Sequence, residues 1–185
     1  DLNEVLQQVN AEETLFLITS KTFTTFETIQ NANASILWMV KKLNLPQQEI
    51  IAHHFVGITA ESQKAQAFGI STDHIFKFWD WVGGRFSLWS AVGLPIAISI
   101  GMDRFEELLT GARAMDEHFF SAPLADNIPV MMGLLGIWNI EDNQAAGLSI
   151  APYCHGLRSF PSYLQQLEME SNGKGVDIDG NSISY

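Results

Sequence analysis

Short apolar runs, set between stretches of helical spacing, place the tightest limit on what this chain folds into. Leu15-Phe16-Leu17-Ile18 and Phe55-Val56-Gly57-Ile58 are continuous in apolar character, as strands buried on both faces are. Ile75-Phe76-Lys77-Phe78-Trp79-Asp80-Trp81 is aromatic and mostly apolar, and reads as a third strand. Leu2, Val5, Leu6 and Val9 have the spacing of a short amphipathic helix. Ile29, Ala32, Ile36, Leu37 and Val40 mark one face of a second helix, which ends near Asn44-Leu45-Pro46. Thr59 to Ala67 reads as a loop and helix, with Glu61 and Lys64 as a surface pair. This alternation predicts an α/β fold with a mostly parallel sheet covered on both faces. Such sheets bind ligands at the C-terminal ends of their strands, where Ser20, Arg85 and the loop after Tyr153 fall.

The second half is richer in helix. Leu88 to Gly101 reads two ways: Ile96-Ala97-Ile98 suits a strand, while Leu88, Val92, Ile96 and Ile100 recur every four residues. Phe105, Leu108, Leu109, Ala112, Met115 and Phe119 predict a long helix, with Asp103 and Glu106 forming a capping box. Ile128 to Ile140 predicts a helix apolar nearly all round, to be buried or laid against a part outside this chain. Asn143 to Gly147 reads as a loop and Leu148 to Tyr153 as a further strand. Pro161 opens a last helix that Gly173 stops. Val176 to Ser184 reads as a hairpin centred on Asp179-Gly180-Asn181.

Charge and cysteine usage narrow the function. The net charge of -11 repels nucleic acid and anionic lipid through its mean field, so neither is expected as a partner. A phosphorylated substrate then needs local help, for which Lys21, Arg85 and Lys174 are the candidate cations. No apolar run reaches the length of a membrane span, and no signal-peptide pattern is visible. One cysteine, Cys154, excludes an internal disulfide and fits a reducing compartment. Beside His155 it reads poorly as a nucleophile, since neighbours along a strand face opposite ways. No His, Cys, Asp or Glu cluster has metal-site spacing, and His118 reads as a surface or interface residue.

Three polar stretches carry the chemistry. Ser20-Lys21-Thr22-Phe23-Thr24-Thr25 joins a strand to a helix N-terminus, where N–H groups and hydroxyls suit an anion or where the hydroxyls merely cap the helix. Without glycine it is neither a P-loop nor a dinucleotide fingerprint. In Val82-Gly83-Gly84-Arg85-Phe86-Ser87 the glycines admit close approach of a ligand to the backbone while the guanidinium reaches it; a plain turn with a surface arginine is the other reading. In Gln165-Gln166-Leu167-Glu168-Met169-Glu170-Ser171-Asn172-Gly173-Lys174, Gln166 and Glu170 share a helix face, with Tyr163, Leu164 and Leu167 on an apolar side. A carboxylate in a last helical turn is unfavourably placed as a structural ion. That position suits a general base or a solvated helix end.

In order and rough spacing these stretches resemble the glucose-6-phosphate isomerase (phosphoglucose isomerase) family. The resemblance extends through Gly93-Leu94-Pro95-Ile96-Ala97 and Ala114-Met115-Asp116-Glu117-His118-Phe119 and covers nearly the whole chain. It implies a three-layer α/β/α sandwich of the sugar isomerase (SIS) type over residues 1–185, incomplete at both ends relative to the full-length enzyme. Leu88 to Gly101 becomes helical, with Pro95 at a kink or a new turn. The implied activity interconverts glucose 6-phosphate and fructose 6-phosphate through an enediolate, in glycolysis and gluconeogenesis. Glu170 is then the proton-transfer base, and Arg85, with Gly84 beside it, stabilises the intermediate. Ser20, Lys21, Thr22, Thr25 and Thr28 hold the phosphate, and Gln166 touches the substrate. No metal or organic cofactor is implied; a homodimer in the cytoplasm is.

This sequence departs from the family in places. Phe26 stands where glutamine is usual, which implies changed loop packing with function kept. The family's ring-opening histidine, contributed by the partner subunit, its late active-site lysine and its upstream glycine- and serine-containing phosphate loop have no match here. Residues 1–185 alone are therefore expected to isomerise poorly. The alternative is a non-catalytic, regulatory SIS domain that binds a sugar phosphate. Such a module needs the Ser/Thr loop, but not Glu170 together with Arg85.

Overall fold

The computed structural model describes residues 1–183. Contacts divide the chain into two compact units, Asp1–Phe105 and the residues from Glu106 onward. In the first, helix α1 (Leu2–Gln8) precedes strand β1 (Phe16–Thr19), and helices α2 (Phe26–Leu43) and α3 (Gln47–His54) lead to β2 (Phe55–Thr59). Helix α4 (Ser62–Phe68) leads to β3 (Ile75–Lys77), and a long loop with short 3-10 turns reaches α5 (Leu94–Ile100). The strands are parallel in the order β1-β2-β3, with Phe16 opposite Phe55 and Gly57 opposite Ile75.

The sheet is covered on both faces, as the apolar runs predict. Central strand β2 is buried throughout, and its residues alternate between two cores. Phe55 packs with Ile36 and Met39 of α2, Ile50 and Ile51 of α3 and Ala65 of α4. Val56 and Ile58 face the other way, into a cluster with Phe78 and Val82 against Ala91, Val92 and Leu94. Each fully buried side chain of this size contributes about 1.5–3 kcal/mol relative to exposure. The α/β fold with a parallel sheet between two covering layers is therefore present in this unit.

Local chemistry explains most element ends. Helix α2 stops where Asn44 adopts a left-handed conformation (φ 54°) and its N–H bonds the Val40 carbonyl at 2.9 Å. Its buried stripe is Ala32, Ser35, Ile36 and Met39, while Leu37, expected on that face, is exposed. Helix α3 has no helical apolar repeat in its sequence, its buried residues being the adjacent Ile50 and Ile51. β3 is shorter than its aromatic run: after Lys77 the ladder ends with the Phe78 N–H on the Thr59 carbonyl, 3.2 Å away. Between Leu88 and Gly101 a 3-10 turn (Ala91–Gly93) precedes α5, and Pro95 lies in the first turn of α5, where its missing N–H costs nothing. Gly93 is fixed by packing, since a Cβ there would lie 2.3 Å from the Leu88 carbonyl oxygen and 2.5 Å from Cζ of Phe105.

Helix α6 (Met102–Ser121) contains the division between the units. It begins one residue before Asp103, which lies inside the first turn instead of capping it. The second unit continues with α7 (Ile128–Glu141) and α8 (Phe160–Asn172). Asn127 is its one buried residue among those described. Its side-chain oxygen accepts from Val130 N–H and its amide donates to the Phe119 carbonyl at 2.8 Å, so it caps α7 and ties it to the end of α6. His118 adds a second cap: Nε2 accepts from Ile128 N–H at 3.0 Å.

Helix α7 is exposed along its apolar length: Ile128, Met132, Leu134 and Trp138 are each at least half accessible. Leu148 to Tyr153 forms no strand; it is irregular chain without a ladder partner, with a bend at Tyr153. The foreseen hairpin reduces to one antiparallel bridge, Val176 to Ser182, around a turn held by Asp177, while Ser184 lies outside the described residues. Among the described residues no helix is long and apolar enough to cross a membrane.

Candidate functional site

The Ser/Thr loop lies at the C-terminal end of β1. Its hydroxyls pair with one another: Ser20 Oγ is 2.9 Å from Thr25 Oγ1, and Thr22 Oγ1 is 2.8 Å from Thr24 Oγ1. Thr25 is the N-cap residue of α2, yet its side chain makes no capping bond. The plain capping alternative for these hydroxyls is therefore not the role Thr25 plays. Thr28 is half-buried in the first turn of α2.

The backbone of the loop is tied down from within. Three consecutive carbonyls accept hydrogen bonds: that of Ser20 from Phe23 N–H (3.3 Å), that of Lys21 from Ala60 N–H (3.1 Å), and that of Thr22 from the Lys64 ammonium (3.1 Å). The Lys64 ammonium is thus engaged with the loop, and Lys64 meets Glu61 through its backbone N–H on the Glu61 carbonyl at 3.1 Å. Phe23 anchors the turn. It is buried, sits edge-on to Phe68 at 5.8 Å, and holds a left-handed backbone (φ 52°). That conformation costs a bulky residue about 1–2 kcal/mol, and such local strain gathers where chains grip ligands. Phe26 is 70% exposed and lines a shallow, mainly apolar pocket between α2 and α4.

The arginine loop follows β3. Gly84, Arg85 and Phe86 form a 3-10 turn, with Phe86 N–H on the Gly83 carbonyl at 3.1 Å and Ser87 Oγ donating to the Gly84 carbonyl. Arg85 is half-buried. A Cβ added to Gly84 would meet nothing within 4 Å, so packing does not demand this glycine. Lys21 connects this loop to the first: its ammonium donates to the Asp80 carbonyl and lies 3.4 Å from the Asp80 carboxylate. The structure thus brings the Ser20–Thr25 loop and the segment leading to Gly84 and Arg85 together at one end of the sheet.

Gln166 and Glu170 lie one turn apart on an exposed face of α8, in the second unit. Leu164 and Leu167 occupy the half-buried side. The helix closes with Gly173 N–H on the Met169 carbonyl (2.8 Å) and the Lys174 ammonium on the Glu170 carbonyl (2.8 Å). Lys174, a candidate phosphate cation, is here a cationic cap on the negative end of the helix dipole.

Comparison with known proteins places all three stretches in one family. The profile of the phosphoglucose isomerase family matches residues 1–185. The chain belongs to the phosphoglucose isomerase family. A glucose-6-phosphate isomerase of Paraburkholderia phymatum is 54% identical over 185 residues, and one of Methylococcus capsulatus is 52% identical. Each alignment takes in all of this chain and 34% of the relative's length, so the chain spans about a third of the curated relatives it matches. A crystal structure of a hypothetical protein from Thermus thermophilus superposes with a TM-score of 0.76 at 27% identity, over 99% of this chain and 42% of that one.

Two residues of this region were given no role in the sequence reading. Thr24 completes the hydroxyl pairs of the loop. Thr59, fully buried at the end of β2, touches both strand-end loops. The sequence signal for Thr59 is a hydroxyl closing an apolar strand, at the position Ser20 holds one strand over.

Proposed function

We propose that this chain supplies the phosphate grip and the proton-transfer base of an enzyme interconverting glucose 6-phosphate and fructose 6-phosphate. The observation that carries this reading is the Ser20–Thr25 loop. Its carbonyls at 20, 21 and 22 are engaged within the chain, and its paired hydroxyls precede the N-terminus of α2. A loop so tied offers an anion donors instead of carbonyl dipoles, and the positive end of the α2 dipole lies behind it. Local donors of this kind offset the repulsion that a net charge of -11 exerts on a sugar phosphate.

In this reading Ser20, Lys21, Thr22, Thr25 and Thr28 hold the phosphate, with Lys21 acting through its backbone while its ammonium braces the arginine loop. Holding the non-reacting phosphate positions C1 and C2 for reaction. Glu170 removes the proton from one carbon and returns it to the other, and the Arg85 guanidinium stabilises the enediolate between those steps. Gly84 lets the sugar approach the backbone beside Arg85, and Gln166 contacts a sugar hydroxyl. Residues 1–185 act as the SIS domain of a cytoplasmic homodimer, with neither nucleic acid nor membrane as a partner.

The Glu170→Gln variant tests the proposal against a sugar-phosphate sensor. An enzyme keeps its affinity for fructose 6-phosphate in the variant and loses C1 proton exchange. A sensor keeps its affinity and shows no exchange to lose.

A further inference from the structure

We propose that Thr59 is a positioning residue, whose hydroxyl holds the Ser20–Thr25 loop in the shape that grips phosphate. Thr59 ends the central strand and is 0% exposed. Its Oγ1 donates to the Lys21 carbonyl at 3.0 Å and accepts from Glu61 N–H at 3.0 Å. Donor and acceptor capacities of a buried hydroxyl are thus both used, one on the loop after β1 and one on the turn into α4. The Lys21 carbonyl takes a second bond from Ala60 N–H at 3.1 Å, so two donors fix its direction. On the other side, the Thr59 carbonyl accepts from Phe78 N–H at 3.2 Å, at the start of the segment leading to Arg85.

One residue therefore carries bonds to both strand-end loops, and only the bond to the Lys21 loop depends on its side chain. Aiming the Lys21 carbonyl inward turns the same peptide plane so that the N–H of Thr22 points the opposite way. A lost hydroxyl frees that plane to rotate and leaves the Glu61 N–H and the Lys21 carbonyl each short of a partner. Valine keeps the shape of threonine and removes the bonds; serine keeps the bonds and removes a methyl group. A role in core packing alone predicts that valine is tolerated and serine is not. The positioning role predicts the reverse.

The inference rests on reading the 20–25 loop as the phosphate grip, so the experiment has two arms. In the first, amide hydrogen exchange is mapped in the parent chain, Thr59→Val and Thr59→Ser. Faster exchange in Thr59→Val at residues 20–25 and 60–62, with α2 and α3 unchanged and Thr59→Ser like the parent, supports the proposal. Equal exchange in Thr59→Val and the parent overturns it, whether or not phosphate binds. In the second, inorganic phosphate and fructose 6-phosphate are titrated by 31P NMR. Thr59→Val is expected to weaken both by about ten-fold, the size of one hydrogen bond left unmade, with Thr59→Ser close to the parent. Unchanged affinity in Thr59→Val overturns the proposal. A parent that binds neither ligand, beside a positive first arm, overturns the phosphate reading and leaves the loop-holding role standing.

Discussion

At the scale of single residues, two glycines separate packing from function. Gly93 has no room for a methyl group, because the Leu88 carbonyl and the Phe105 ring occupy its place. Gly93→Ala is expected to destabilise the chain by about 1–3 kcal/mol, the usual cost of overpacking, seen as a lower urea midpoint. Gly84 has open space where its Cβ would stand. Gly84→Ala should leave stability within about 0.5 kcal/mol while weakening fructose 6-phosphate binding, read by calorimetry. Equal affinity in that variant would remove Gly84 from the site. The positions of the candidate residues were legible: the Ser20–Thr25 hydroxyls end β1 and lead into α2, Gly84 and Arg85 follow β3, and Gln166 and Glu170 share a face of α8. The jobs of Lys21 and Lys174 were not legible. A lysine beside a candidate phosphate loop reads as a cation for the ligand, whereas both ammonium groups here bond backbone carbonyls. Thr59 escaped notice because a threonine ending a strand has no chemistry until its hydroxyl is seen to point at a neighbouring loop.

At the scale of elements, β1 and β2 were readable because a strand buried on both faces leaves an uninterrupted apolar run. The same signal failed at Leu148 to Tyr153, where no neighbouring strand supplies a ladder and Pro152 withholds a donor. Helix α3 escaped because its eight residues, Gln47–His54, hold Ile50 and Ile51 side by side instead of at helical spacing. Helix α7 depends on its caps. Asn127→Ala removes the acceptor for Val130 N–H and strands the Phe119 carbonyl, so a loss of about 2 kcal/mol is expected from urea unfolding followed by Trp138 fluorescence. The turn at Asp177 adds a pH dependence. Hydrogen bonds from the Asn181 side chain first, then from backbone N–H groups, hold its carboxyl below the ordinary value of 3.8. A depressed carboxyl stabilises the turn above that value and loses its effect as pH falls through the lower, folded-state value. The Asp179 and Asn181 amide resonances should therefore stay native at about pH 5 and shift only in acid below pH 3.8. A shift centred above 3.8 would contradict this assignment.

In the whole molecule the first unit brings the candidate phosphate loop and the arginine loop to the strand ends, and the second carries Gln166 and Glu170 on α8. A parallel sheet collects the loops after β1, β2 and β3 at one edge, and Thr59 and Lys21 lace those loops together. Under the proposed function this arrangement offsets the repulsion between a net charge of -11 and a sugar phosphate, through backbone and hydroxyl donors at the Ser20–Thr25 loop. Whether Glu170 is the base is decided by exchange of the C1 proton of fructose 6-phosphate in heavy water, followed by NMR. It requires the phosphate grip and the base but no ring-opening residue, because the open-chain form is present in solution. Deuterium is expected to enter C1 in the presence of this chain, with a fall of about 10²–10⁴-fold, the usual weight of a general base, in Glu170→Gln. Exchange as fast in Glu170→Gln as in the parent, or none above buffer in either, would contradict it.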